Sequence, residues 1–200
     1  IRRTLLETWD EGGTIQWFAQ TAPEFASLSA NVAGAIGTGA SAVYLHGGQM
    51  DYYFAQGQLD AIQAFVNQVR DAGVAVGVAG HNPRVHVWAN ETLDLDFHMC
   101  SYYNPTPRDT NAEHVRGAVE VFDDADRAAM VATIQNLRAP AIHYKIFAAG
   151  RTGPAEAFDF VARHLRPQDA VCIGVYTGDN PAMLAEDVAL FNAALARHQG

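Results

Sequence analysis

Val74-Ala75-Val76-Gly77-Val78-Ala79-Gly80-His81 carries two unlike faces. Side chains of a strand alternate sides, so Val74, Val76 and Val78 share one surface and Ala75, Gly77, Ala79 and His81 the other. The contrast recurs along the chain. Ile15, Trp17 and Ala19 stand against Gln16, Phe18 and Gln20, and Ala42, Tyr44 and His46 share a face. Ile142, Tyr144 and Ile146 oppose His143, Lys145 and Phe147, while Val171, Ile173 and Val175 oppose Cys172, Gly174 and Tyr176. A doubly wound sheet lies under helices on both faces and reads as almost continuously apolar. One apolar face under helices and one small or polar face inside suits a closed parallel barrel. The expected fold is α/β, a (β/α)8 TIM barrel.

Helical spacing fills the intervals between these strands. A helix through Leu5, Leu6 and Trp9 precedes the first strand and stops at Gly12-Gly13. Thr21-Ala-Pro-Glu24 has the form of a capping box, and Phe25, Leu28, Val32 and Ile36 follow at helical spacing up to Gly37 and Gly39. Leu59, Ile62, Val66 and Val69 mark the next helix, stopped by Gly73, and Asn82-Pro83 opens a short one with Val85 and Trp88. Further strands are expected at 95–102, 141–147 and 170–176, with helices through Met130, Ile134 and Leu137, through Phe158, Val161 and Leu165, and through Leu184, Val188, Phe191 and Leu195. This makes six βα units, where a barrel has eight and takes about 250 residues. Residues 1–200 are therefore expected to form one barrel domain holding strands three to eight, with the first two missing. Ile1 in place of Met fits a processed chain or a fragment. Strand edges left unpaired in this way favour self-association, so a homo-oligomer is a candidate state.

Of 200 residues, 49% are hydrophobic and 18% charged, a composition that excludes disorder and supports a sizeable core. The net charge of −9, from 13 basic and 22 acidic residues, argues against nucleic acid and against anionic membranes as partners. No apolar stretch approaches the ~20 residues of a membrane span. No signal-peptide pattern opens the chain, which makes a cytoplasmic location the expectation. Cys100 and Cys172 are read as reduced core thiols. No G-x-G-x-x-G follows the first strand, so the sequence lacks the dinucleotide-binding fingerprint. Among the 13 basic residues, 12 are Arg and one, Lys145, is Lys.

Lys145-Ile-Phe-Ala-Ala-Gly-Arg151, Ile15-Gln-Trp-Phe-Ala-Gln-Thr-Ala-Pro-Glu24 and Tyr102-Tyr-Asn104 together resemble a group of largely uncharacterised bacterial TIM-barrel proteins. The resemblance covers nearly the whole chain. It implies the barrel fold and an additional N-terminal part, and says little about substrate. His98 stands where that family would carry Tyr.

Barrel enzymes place their chemistry at the C-terminal ends of the strands. The inward residues expected there are Gln20, His46, His81, Cys100 or Tyr102, Lys145 and Tyr176, with His98 and His143 about one layer deeper. The alternative for the set is a satisfied polar core layer. An inward lysine is partly desolvated, which lowers its pKa and frees a neutral amine for a Schiff base with a carbonyl substrate; Arg cannot do this. A lysine paired with a carboxylate or a substrate anion is the competing interpretation. His46 and His81 end neighbouring strands and with a third ligand would hold a divalent metal, zinc or manganese, although no H-x-H or H-E-x-x-H spacing supports it. Asp96 lies too near the start of its strand to serve as that ligand. The turns Ala148-Ala-Gly-Arg-Thr-Gly153 and Tyr176-Thr-Gly-Asp179 offer Gly150, Gly153 and Gly178, with Arg151, as a phosphate grip, or else as tight turns only. The segment Asn104–Glu120, with Pro105, Pro107, Arg108, His114 and Arg116, is long enough for a lid.

The leading expectation is an enzyme acting on a small polar carbonyl or carbohydrate-like compound, lyase- or aldolase-like. Lys145 would be the nucleophile or electrostatic catalyst, His46 and His81 would move protons, and Tyr102 would orient the substrate. Gln20, Asn104, Arg151 and Tyr176 would contact it. A metal-dependent isomerase or hydrolase built on His46 and His81 competes with this, as does a non-catalytic barrel fragment.

Overall fold

The computed structural model describes residues 2–111 and 117–198. His114 and Arg116 of the expected lid lie outside them. In chain order the elements are α1 (Arg2–Asp10), β1 (Phe18–Gln20), α2 (Leu28–Thr38), β2 (Ala42–Leu45), α3 (Gly47–Ala55), α4 (Leu59–Asp71), β3 (Ala75–Gly80) and α5 (Pro83–Thr92). There follow β4 (Phe97–Ser101), α6 (Asp124–Ile134), β5 (Ala141–Tyr144), a 3-10 turn (Ala148–Gly150), α7 (Pro154–His164), β6 (Ala170–Val171) and α8 (Met183–His198). The strands pair in parallel and in sequential order from β1 to β6, forming a sheet curled into a half-barrel.

The concave face follows the expected alternation in the first three strands. Ala42, Ala79, Phe97 and Met99 are buried together there, packed by Tyr44, Ala75, Ile142 and Tyr144. Gly77 makes this possible, because a Cβ at that position would lie 2.5 Å from the Phe97 ring. Phe97 crosses that space and stacks at 5.2 Å on Phe18 and 6.1 Å on Tyr44. On the convex side, Val43, Leu45, Val76 and Val78 are buried against Val32, Ile62, Phe65, Val66, Val69 and Val85 of α2, α4 and α5.

One local expectation changes, and one helix is new. The first crossover helix begins at Leu28, where the Ser27 hydroxyl accepts the Ala30 N–H at 3.3 Å, and not at the Thr21 box. Thr21 is buried, its hydroxyl accepts the His46 N–H at 2.9 Å, and Phe25 is 83% exposed. The segment after β2, to which the sequence pattern assigns no element, is the helix α3, anchored in the core through Met50, Tyr53 and Phe54.

The faces of β4 and β5 are the reverse of those expected. Ile142 and Tyr144 lie on the concave side, whereas Cys100, Tyr102 and Ala141 join the helix-side core with Met130, Ile134 and Phe158. Tyr102, His98 and His143 are thus not inward residues. Their polar atoms find partners under the helices, which removes the cost of burying them there. The Tyr102 hydroxyl donates to His143 Nδ1 at 3.0 Å, and His143 Nε2–H donates to Asp169 at 3.3 Å. Asp169 also accepts the Ala141 N–H at 2.7 Å and a two-pronged contact from Arg166, 2.8 Å to each oxygen. Burial alone would raise the Asp169 pKa, but the hydrogen bonds from His143, Arg166 and the Ala141 amide outweigh it and hold the carboxyl well below its usual range. Of the two thiols, Cys100 is buried as expected and Cys172 is exposed.

His98 meets His86 of α5 in the same layer. His86 Nε2–H donates to the Gly80 carbonyl at 3.3 Å, so its Nδ1 accepts from His98 Nδ1–H at 3.2 Å. Burial lowers the two imidazoles to about 4 and about 3. Unfolded histidine titrates near 6.5, so the native state binds fewer protons than the unfolded chain below that pH. Stability is expected to be level above pH ~6.5 and to fall as pH drops toward 4, by about 1.4 kcal/mol per pH unit for each ring. Urea midpoints at pH 7 and pH 5 check this, and equal midpoints would refute it.

Candidate functional site

Strand curvature brings the C-terminal ends of β2, β3 and β5 together. His46 caps the N-terminus of α3, and Asp51 of α3 is buried one turn further on. From there Asp51 reaches the end of β3. Its carboxylate holds His81 Nδ1 at 2.7 Å and accepts the backbone N–H of His81 at 3.0 Å and of Asn82 at 3.4 Å. A carboxylate only accepts, so Nδ1 carries the hydrogen and Nε2 is left with its lone pair. That lone pair faces the Tyr144 hydroxyl at 3.4 Å. Burial pushes this hydroxyl well above the ordinary tyrosine range, with the Asp51 charge adding to it, so Tyr144 stays a proton donor.

Gly47 is required by this arrangement. A Cβ there would come within 2.9 Å of His81 Cε1 and 3.2 Å of the Tyr144 oxygen. The first residue of α3 therefore lies against both rings.

Lys145 follows Tyr144 directly, with a left-handed φ of 58°. Strict alternation would have sent it to the helix side with His143. The left-handed step breaks that alternation, and Lys145 lines the same cavity as Tyr144, Glu120 and Phe122. Its pKa is lowered by burial, opposed by the charge of Glu120 and lowered further by Arg108. His46 is lowered as well, first by burial and then by the charge of His81. The His46 Nδ1 atom is buried with no hydrogen-bond partner among the described residues.

The other expected site residues are placed as follows. Gln20 is exposed at the end of β1, paired in register with Tyr44. Tyr102 is turned away under α7, edge-on to Phe160 at 5.8 Å. The Asn104 N–H donates to Asp126 at 3.0 Å, while its side-chain oxygen is buried without a partner among the described residues. Tyr176 lines the cavity at its exposed rim, as do Gly150 and Gly153. Gly178 packs beneath the Tyr176 ring, which a Cβ would meet at 2.5 Å, so it serves the turn. Arg151 lies over the Phe122 ring at 4.3 Å and donates to the Ala148 carbonyl at 3.2 Å. Pro154 opens α7 and removes one of its N–H donors. The Gly and Arg residues expected to grip phosphate are thus not gathered into one anion cradle.

The residues present do not fit a zinc or manganese centre. Among the described residues no three His, Cys, Asp or Glu side chains are grouped to hold a metal, and His81 Nδ1 is already committed to Asp51.

Sequence reasoning missed Asp51 and put Tyr144 on the wrong face. A signal for Asp51 existed. Met50, Tyr53 and Phe54 have the spacing of a helix face, and a helix starting after His46 carries Asp51 back toward the strand ends. Comparison of the chain with family models, with curated proteins and with solved structures finds no match.

Proposed function

We propose that this chain is an enzyme of TIM-barrel type that performs acid–base chemistry on a small carbonyl or carbohydrate-like compound, in the manner of a lyase or aldolase. One observation carries the reading: the partly desolvated amine of Lys145 lines a cavity beside Tyr144, whose hydroxyl meets a histidine oriented by a buried aspartate. Neutral Lys145 adds through Nζ to the carbonyl carbon. The carbonyl oxygen leaves as water once two protons have reached it, and a C=N bond remains. His81 Nε2 receives a proton and Tyr144 supplies or relays one, while Asp51 stabilises the imidazolium that forms. His46 adds a second imidazole near His81. The resemblance to bacterial TIM-barrel proteins belongs to the same proposal and agrees with the order of the parallel strands. So does a cytoplasmic setting, which suits two cysteines left as free thiols.

Because Lys145 is the one lysine in the sequence, reductive trapping reports on it directly. Cyanoborohydride with an aldehyde is expected to leave a secondary amine on the peptide containing Lys145 and none on that peptide in Lys145→Arg. An unmodified Lys145 under these conditions would exclude the Schiff-base step.

A further inference from the structure

We propose that the substrate of this site carries an apolar segment of several carbons attached to its carbonyl group, lodged in the cavity between β5, β6 and α8. This rests on the assignment of Lys145 as the amine that engages the carbonyl. The cavity holding Lys145 and Tyr144 measures about 930 Å³, far more than a three-carbon carbonyl compound fills. Away from those two residues most of its surface is apolar, contributed by Phe122, Ile146, Phe147, Ile173, Met183 and Leu190. These walls are built into the fold. Phe147 packs edge-on against Phe158 of α7 at 5.3 Å, and Phe158 stacks on Phe191 of α8 at 5.4 Å.

The polar groups that α8 and the turn before it add to the lining do not suit a sugar. Asn180 and Glu186 are bonded to each other at 2.8 Å. Asp187 is 5% exposed, and burial together with the neighbouring Glu186 raises its pKa. A carbohydrate brings a hydroxyl on nearly every carbon, and each one buried without a partner costs binding. An alkyl or aryl chain needs only the contact surface that these six side chains provide. The head-group chemistry at Lys145 is unchanged; the substrate class narrows to amphipathic aldehydes or ketones.

The test measures capture of the chain by straight-chain aldehydes from propanal to octanal, with glyceraldehyde as the polar comparator. Adducts are fixed with cyanoborohydride, read on the Lys145 peptide by mass and normalised to N-acetyl-lysine in solution. Half-saturation is expected to fall by about fourfold per added methylene over the first few carbons, with butanal captured more tightly than glyceraldehyde. In Leu190→Asn, a position 39% exposed and so tolerant of change, the gain per methylene is expected to shrink at least twofold. Capture of glyceraldehyde equal to or stronger than butanal, or no dependence on chain length, overturns the apolar-segment proposal while Lys145 keeps its role. A chain-length dependence that Leu190→Asn leaves unchanged also overturns it, because the chain then binds elsewhere. No adduct with any aldehyde removes the Lys145 assignment itself and this proposal with it.

Discussion

Asp169→Ala is expected to cost about 3–5 kcal/mol of stability, a large part of the roughly 5–15 kcal/mol that holds a domain together. The Asp169 and His143 side chains are fully buried, and that of Arg166 is 11% exposed. Removing the carboxylate strands the Arg166 guanidinium, the His143 Nε2–H and the Ala141 N–H at the joint between β5 and β6. An unpartnered buried charge is the costliest of these losses. The Arg166 guanidinium also donates to the Leu137 and Ala139 carbonyls, so the damage spreads to the loop entering β5. Urea unfolding checks the magnitude, and a loss under about 1 kcal/mol would show that the network relaxes. The pH dependence has a definite sign. A carboxyl held below its unfolded pKa of ~3.9 contributes stability that is complete above that pH and is lost as pH falls below it. The difference between wild type and Asp169→Asn should therefore narrow below pH ~4.

Asp51→Asn is expected to lower turnover by about 10²- to 10⁴-fold while the fold survives. Asparagine keeps an oxygen for the backbone N–H groups of His81 and Asn82, but it loses the charge that fixes the His81 tautomer and stabilises its protonated ring. With an aldehyde held as the unreduced Schiff base, the rate at which its α-hydrogens exchange into D2O measures the step directly. The effect should fall on the maximal rate more than on half-saturation, because Asp51 acts through His81 and is not placed to touch the substrate. A decrease of less than tenfold would remove His81 from the proton path.

The parts of this fold that could be read in the sequence are those where local pattern and tertiary demand coincide. β3 is one: valines meet helices on one side, and on the other Gly77 admits Phe97. The helix stripes of α4 and α7, ending before Gly73 and closing beneath Leu165, are others. β5 failed because hydrophobicity does not report satisfaction. His143 looks polar in sequence, yet Tyr102 and Asp169 complete its bonds under the helices, and both partners are 26 or more residues distant. Tyr144 looks apolar, yet its hydroxyl meets His81 on the concave side. Asp51 stayed hidden behind Gly47-Gly48, which punctuates a sequence like a loop although it opens a buried helix. Lys145 stands out in the sequence as the one lysine among arginines, but alternation points to the wrong mechanism for its placement beside the cavity. A backbone turn, not strand parity, brings it to the cavity.

Lys145, Ala148 and Ala149 all hold left-handed backbone, with φ of 58°, 49° and 54°. For residues with a Cβ this conformation costs roughly 1–2 kcal/mol each, and glycine would adopt it freely. Under the role proposed for Lys145, the loop after β5 is therefore a place where selection for heat tolerance and selection for amine chemistry pull in opposite directions. A library screened for folding alone would drift toward glycine at all three positions and, at the first, would discard the only amine side chain the protein has. Directed evolution of this scaffold needs a reactivity screen from its first round, because position 145 is where a gain in robustness would erase the proposed chemistry.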